Sequence, residues 1–533
     1  MKNLSKILSA ILTAVMLLSL FTVPAVVHAE GGVCGENLTW TLEDGVLTIS
    51  GTGPMNNYLK YNAHQSYAVE RPDLDDLAPW GTDITSVVIE DGVTTIGDYA
   101  FYNCQQIESI EIPASVKTIG DSAFFSAKLK TLVLPEGVEE IGDYAFCECT
   151  LESKDFHMPD SLAVIGDYAF RYAYFGEIQI GSGVVDIGAG AFTYNVVIDI
   201  PDSVQHIGNE AFKKTRYYED AKNWRMDALY IGKWLIKVKE NTKLEFFVVK
   251  RGTEHIADYA FENCKSLKDD VILPKSLKSI GRSAFQACNN LEALDIPEGV
   301  TDIGPGAFSG CKGLTELKLP ESITEIGDQM VSGLSFEQFE IPDNVERIGE
   351  GAFLSCNYLK SITIPSSIKR IESWTFTNCI SLEEVNLPEG LESIGDFAFL
   401  ACASLRRIVI PRSVTSIGMG LFYFNVPTPT DIVMAVYEGS YAQTYAEENG
   451  VPYEIIDEEK PIDENNEELA GDMDGDGEIT VSDALRALRI AAGLDVAVAT
   501  KGTRSAILGD VDGDGAVTVA DALQILRKAA GLA

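Results

Sequence analysis

The stretch Ile96-Gly97-Asp98-Tyr99-Ala100-Phe101 returns along the chain at so steady a step that it limits what the chain can build. It recurs as Ile119-Gly120-Asp121-Ser122-Ala123-Phe124 and as Ile141-Gly142-Asp143-Tyr144-Ala145-Phe146. The opening isoleucine continues at 165, 187, 207, 256, 280, 303, 326, 348, 371, 394 and 417, which makes fourteen copies, most of them 22 to 24 residues apart. A fixed period in the twenties marks a solenoid, in which each unit buries its apolar side only against its neighbours.

One period shows the physics. Leu291-Glu292-Ala293-Leu294-Asp295-Ile296 alternates apolar and polar, as a half-buried strand does. Pro297 has no N–H and ends the strand. Val300 and Ile303 point inward again, and Gly304 is expected to ease a turn. Ala307, Phe308 and Cys311 fill the far side of the coil. The pattern LxxIxIPxxVxxIGxxAFxxCxx resembles the leucine-rich repeats of the bacterial surface-antigen (BspA-like) class over roughly residues 85 to 425. The resemblance implies a β-rich leucine-rich-repeat solenoid.

Lys2 and Lys6 precede an apolar run from Ile7 to Val27, and Val27-His28-Ala29 supplies compact residues for cleavage. Residues 1–29 read as a secretory signal, so export is expected. No other run is long enough to span a membrane. The formal charge is −39. Such a chain repels phosphate backbones, so no nucleic-acid partner is expected. Export permits disulfides, yet eight of the ten cysteines (104, 149, 264, 288, 311, 356, 379 and 402) fall eight residues after an opening isoleucine. One column of parallel side chains is expected to hold free, buried thiols. Cys34 and Cys147 stand off it.

Residues 30–84 differ from the repeats. Leu38–Leu42 and Gly45–Ile49 flank Asp44-Gly45, a hairpin signal, and a solenoid needs its open end covered. This segment reads as an N-terminal β cap, with Ile84 to Ile89 as the first solenoid strand. The solenoid is expected over 85–456, with a variant insertion at 213–255, where the step from Ile207 to Ile256 is 49 residues. The insertion holds Tyr217, Tyr218, Trp224, Tyr230, Trp234, Phe246 and Phe247, with two short strands about Gly232. These rings either fill an enlarged coil or form an aromatic surface for sugar or protein. The residues expected outward on the strands, among them Glu111, Val133, Gln179, Ile272, Lys318 and Val409, form a mixed column that names no ligand. Near the end, Asp431–Tyr437 reads as a strand, Ser440–Asn449 as a helix stopped by Gly450, and Val451–Ile456 as a last strand. Residues 457–470 are acidic and aperiodic and read as a linker.

Residues 471–533 carry a second duplication. Asp472-Met473-Asp474-Gly475-Asp476-Gly477-Glu478-Ile479-Thr480-Val481-Ser482-Asp483 recurs from Asp510 to Asp521. Ca²⁺ takes six to eight oxygens, and a twelve-residue loop supplies them from fixed positions. Asp472, Asp474, Asp476, Glu478 (through its carbonyl), Thr480 and Asp483 form one set of candidate ligands. Asp510, Asp512, Asp514, Ala516 (through its carbonyl), Thr518 and Asp521 form the other. Two Ca²⁺ ions are therefore expected. Each loop runs into the frame DALxxLRxAAGL, and no amphipathic helix precedes the first. Duplicated loop-then-helix units of this kind resemble the dockerin domain of cellulosomal proteins, a small α domain. That resemblance implies a cohesin partner on a scaffold and a contact face of Val481, Ser482, Leu488, Arg489, Val519, Ala520, Leu526, Arg527 and Lys528. Where many dockerins carry a hydroxyl pair, this chain has Val481-Ser482 and Val519-Ala520, which leaves the cohesin class open. Each helix is expected to bury Leu485 and Leu488, or Leu523 and Leu526, against its twin.

Three classes of function follow. The first is a non-catalytic binding protein that docks by its C-terminus and shows its repeats to a protein or glycan. The second is an enzyme, although His64, His157, His206 and His255 sit in no GxSxG, HExxH or cysteine-nucleophile context. The third is a structural spacer.

Overall fold

The computed structural model describes residues 30–58, 77–151, 155–173, 177–197, 199–240, 243, 246–268, 271–422, 432–456, 484, 487–488, 490 and 517–529. The chain divides into two compact units. The first comprises residues 1–242, 249–264 and 276–284; the second comprises 243–248, 265–275 and 285–533. Each unit contains coils of one β-solenoid design, and helices are few.

The first unit opens with an antiparallel ribbon of β1 (Glu30–Gly35), β2 (Leu38–Glu43) and β3 (Val46–Gly51). Asp44 and Gly45 turn β2 into β3 with φ of 52° and 79°, the two positive angles of the primed turn that the sequence signals. β3 then pairs in parallel with β4 (Ser86–Ile89), and β4 with β5 (Ser109–Glu111), so the ribbon's edge becomes the first solenoid edge. Trp80 lies over Phe101 with ring centroids 5.9 Å apart, and Trp40 and Tyr58 meet its edges. The cap thus covers the first ring of the repeat core.

Each coil contributes a short strand ending on the opening isoleucine. In the first unit Ile96, Ile119, Ile141, Ile165, Ile187 and Ile207 stack in parallel register, all buried. In the second, Ile326 pairs with Ile348, and Ile371, Ile394 and Ile417 with one another. Opposite them the phenylalanines form columns. Phe101, Phe124, Phe146, Phe170, Phe192 and Phe212 follow one another at 5.1–5.8 Å, nearly parallel. Burying a ring at this place in nearly every coil is the main apolar gain of the repeat.

The glycine after the isoleucine is not the turn residue. Gly304 does not have a positive φ; Gly306 and Gly310 do, at 64° and 73°. Two residues per coil, three and seven places after the isoleucine, are left-handed throughout. They are Tyr99 and Asn103, Tyr144 and Glu148, Trp374 and Asn378, and so on, mostly not glycine. In most coils three alternate N–H groups then donate to the following coil, as Tyr99, Phe101 and Asn103 do to the carbonyls of Asp121, Ala123 and Phe125. These bonds hold residues that would otherwise avoid this region of backbone space.

The glycine serves close packing instead. A Cβ on Gly142 would lie 2.5 Å from Asp121 Oδ1 and 2.9 Å from Asp121 N. That space is filled by an aspartate ladder. Asp98 Oδ1 accepts the N–H of Asp121 at 2.9 Å, Asp121 that of Asp143 at 2.8 Å, and Asp143 that of Asp167 at 2.7 Å.

The insertion conceals a whole coil. β6 (Trp224–Arg225), β7 (Ala228–Ile231) and β8 (Trp234–Val238) form an antiparallel ribbon about Gly232, whose φ is 55°. Leu235 of β8 pairs in parallel with Ile256 and stands where an isoleucine would. The 49-residue step is therefore two coils, with α1 (Arg216–Glu219) in the first connection. At the far end β9 (Val433–Tyr437) pairs in parallel with β10 (Tyr453–Ile456). Between them α2 (Tyr441–Asn449) is capped by the Ser440 hydroxyl and stopped by left-handed Gly450, as the sequence predicts.

Candidate functional site

The outward strand column is mostly exposed and mixed, with Val133 at 75%, Ile272 at 53% and Val409 partly covered. It holds no aromatic platform.

The aromatic surface sits elsewhere, on the ridge made by the left-handed residues and their neighbours. Tyr102 stacks on Phe125 at 5.3 Å, Tyr144 on Tyr168 at 5.0 Å, and Tyr172 on Tyr194 at 4.5 Å. The Arg171 guanidinium lies over Tyr168 and Tyr172, at 5.3 and 4.9 Å. These rings cover one another's faces, so the ridge is a stiffening ladder more than a stacking platform. Sequence reading followed the strand column and missed it; the signal available was tyrosine three residues after Ile96, Ile141 and Ile165.

The cysteines are free and buried. Cys311, Cys379 and Cys402 donate to the carbonyls of Phe285, Phe353 and Phe376 at 2.9–3.1 Å. Burial pushes the thiols of Cys104, Cys356 and Cys402 up to about 12, which removes thiolate chemistry at neutral pH. Asn195 and Thr215 take the same column position in two coils, and both are buried.

His206 marks a break in the ladder ahead of the concealed coil. Its Nδ1 is 2.6 Å from Asp186 Oδ1 and its Nε2 3.0 Å from Asp258 Oδ2. Hydrogen bonds to Asp186 and then Asp258 raise its pKa to about 10, against the opposing effect of burial. The ring is an imidazolium clamped between carboxylates, and both nitrogens donate.

The insertion divides its aromatics. Trp234 is 4% exposed and stacks on His255 at 4.5 Å, so it belongs to the core. Trp224 is half-buried at the surface. Its Nε1 donates to the Tyr218 carbonyl at 2.7 Å, and the two rings meet edge to face at 5.1 Å. Lys239 places its ammonium 5.0 Å from the Trp224 ring centre and 3.3 Å from Asp227 Oδ1. A recess of about 300 Å³ opens between them.

The sequence pattern of the BspA type leucine rich repeat region matches residues 80–198, 238–359 and 332–430, more than half of the chain. The chain belongs to this family. No curated protein matches it. Among solved structures it is similar to a leucine-rich repeat protein from Eubacterium ventriosum, with 24% identity over 75% of this chain and 97% of that one, at a TM-score of 0.33. It is also similar to the T. pallidum leucine rich repeat protein (27%, 35% and 89%, TM-score 0.31). A leucine rich cell surface protein from Faecalibacterium prausnitzii shares 22% identity over 67% and 94%, at a TM-score of 0.28. Membership rests on the repeat match, because superpositions this loose carry no argument.

In this BspA-type chain the repeat match stops at residue 430, short of the two loops. Of the candidate calcium ligands, Asp472, Asp474, Asp476, Glu478, Thr480, Asp483, Asp510, Asp512, Asp514 and Ala516 lie outside the described residues, as do Val481, Ser482, Leu485 and Arg489. Thr518 and Asp521 are described, and they converge. Asp521 is fully buried, and its Oδ2 accepts the amide of Thr518 at 2.9 Å and its hydroxyl at 2.8 Å. Thr518 stands just before the helix and Asp521 three residues later, so the contact is a cap of the helix start. The helix α3 (Val519–Ala529) turns Ala522 and Ile525 onto Ala484, Ala487 and Ile490. The expectation that Leu488, Leu523 and Leu526 are buried against the twin helix is corrected: they are 44%, 51% and 44% exposed. Ala522 and Ile525 are three apart and share the packed face, which leaves Leu523 and Leu526 one step further round the helix.

Proposed function

We propose that this is an exported, non-catalytic binding protein. It presents BspA-type repeats to a protein or glycan and docks through residues 471–533, a calcium-dependent dockerin, onto a cohesin of a cellulosome scaffold. The signal-like residues 1–29 support export. The observation that carries docking is the second duplication, two acidic loops each running into the same helix frame. Ca²⁺ bound there supplies a charge that draws opposed carboxylates into one fold, so that binding becomes folding free energy. Thr518 and Asp521 would hold the end of loop two, with the remaining ligands as read from the sequence. The exposure of Leu488, Val519, Leu523 and Leu526 suits an apolar contact for a partner. Arg489, Arg527 and Lys528 would border that contact.

Calorimetry of the full chain against a panel of cohesins, in Ca²⁺ and in excess chelator, tests this. Asp472→Ala and Asp510→Ala should each weaken docking, and Arg489→Ala with Arg527→Ala should weaken it more than either alone. Binding undiminished by chelator overturns the reading.

A further inference from the structure

We propose that the recess beside Trp224 is a carbohydrate subsite that takes one neutral pyranose ring. This deepens the repeat-surface half of the proposed function and rests on it. The recess lies wholly within the first unit, in the ribbon that breaks the repeat period.

Four observations point to a sugar. First, Trp224 is half-buried, and its Nε1 is already satisfied by the Tyr218 carbonyl. Its orientation is therefore fixed before any ligand arrives, and little ordering entropy is lost on binding. Second, Tyr218 and Trp224 meet edge to face rather than stacked, and Trp224 packs against the core while remaining only partly buried. The flexible Lys239 ammonium, half-exposed and tethered to Asp227, lies over the indole. The apolar C–H face of a pyranose can replace it there, while the ring's hydroxyls meet the carboxylates of the lining. Third, the size suits one ring. About 300 Å³ is the lower end of small-ligand sites and too small for a docking groove. Fourth, the lining balances its charge. Asp227 and Glu240 oppose Lys237 and Lys239. Lys237 is held by the Tyr259 carbonyl at 2.7 Å and faces Glu262 at 3.7 Å. An acidic sugar finds no surplus cation, and an amine would displace the lysine like for like with no gain. A neutral polyol is the class that needs both donors and acceptors and no net charge.

The test uses the full chain on a printed array of neutral and acidic oligosaccharides. Titrations with cellotetraose, xylotetraose, mannotetraose and tetragalacturonate follow, read by calorimetry and tryptophan fluorescence. At least one neutral glycan should bind, and Trp224→Ala should weaken it about tenfold or more. Trp224→Phe, which keeps a ring, should retain part of the affinity, and both variants are checked for an unchanged melting profile. Asp227→Asn should weaken binding a few-fold. Lys239→Ala clears the indole face and should bind at least as well as the parent. Three outcomes overturn the proposal: no Trp224-dependent neutral glycan on the array, binding of tetragalacturonate alone, or loss of binding in Lys239→Ala. Cohesin titration of the same variants should be unchanged, so failure here and failure of docking are read apart.

Discussion

Two coils begin with the same three letters and are built differently. Ile141-Gly142-Asp143 continues into Tyr144-Ala145-Phe146, and Ile326-Gly327-Asp328 into Gln329-Met330-Val331. Gly142 rests on Asp121, whose carboxylate and amide leave no room for a Cβ. Gly327 rests on Pro305 at 3.5 Å, an ordinary contact, and its φ is not positive. Phe146 lies between Phe124 and Phe170 in a parallel stack, at 5.1 and 5.3 Å. At the equivalent place Val331 leaves a gap that other rings fill. Phe336 and Phe339 approach Phe353 edge-on at 6.4 and 5.2 Å. The strand that should follow shrinks to a single bridge, Gln338 to Ser361. What a repeat residue must be is thus decided by the coil before it as much as by its own motif.

The largest test of this comparison is the ring column. Phe146→Ala should cost about 3–5 kcal/mol, because stacked neighbours cannot collapse onto the hole. Val331→Ala should cost well under half of that, read from denaturant midpoints of the full chain. Equal losses would mean that the irregular coil is packed as tightly as the regular one. The glycines come next. Gly142→Ala should cost about 1–3 kcal/mol by overpacking against Asp121, while Gly327→Ala should stay within about 0.5 kcal/mol. A similar cost at both sites would assign the glycine to its own turn and remove the role of the ladder.

The smallest effect lies at the ladder break. The pKa of His206 is raised from 6.5 to about 10 in the folded chain. Its contribution is fully present below pH 6.5 and is lost as pH rises through about 10. The ring is nearly half exposed, so the loss is screened and modest. The melting temperature should fall between pH 8 and 10.5, and His206→Gln should flatten that fall. An equal slope in the variant would place the alkaline sensitivity elsewhere.

Much of the fold was legible in the sequence because its signals are local. The isoleucine period, the Asp44-Gly45 turn and the Ser440 and Gly450 caps each act within a few residues. The left-handed positions were hidden because most of them hold residues other than glycine and asparagine, tyrosine and serine often among them, and those residues advertise no such backbone. Bonds to the next coil hold them, and no single repeat reports its neighbour. The coil at Leu235 was hidden for a related reason: Leu235-Ile236-Lys237-Val238 keeps the apolar rung but loses the Gly-Asp and Ala-Phe letters. The aromatic cluster of the candidate recess was visible, but its division was not. Only packing separates Trp234, stacked on His255, from Trp224 at the surface.

The three donors of each ridge have an electrical consequence. Tyr144, Phe146 and Glu148 donate to the carbonyls of Asp167, Ala169 and Arg171, and Gln329, Val331 and Gly333 to those of Glu350, Ala352 and Leu354. Within each unit every such N–H points toward the later coil. The ridge is therefore a column of aligned peptide dipoles with its positive pole at the C-terminal coil, the reverse of an α-helix.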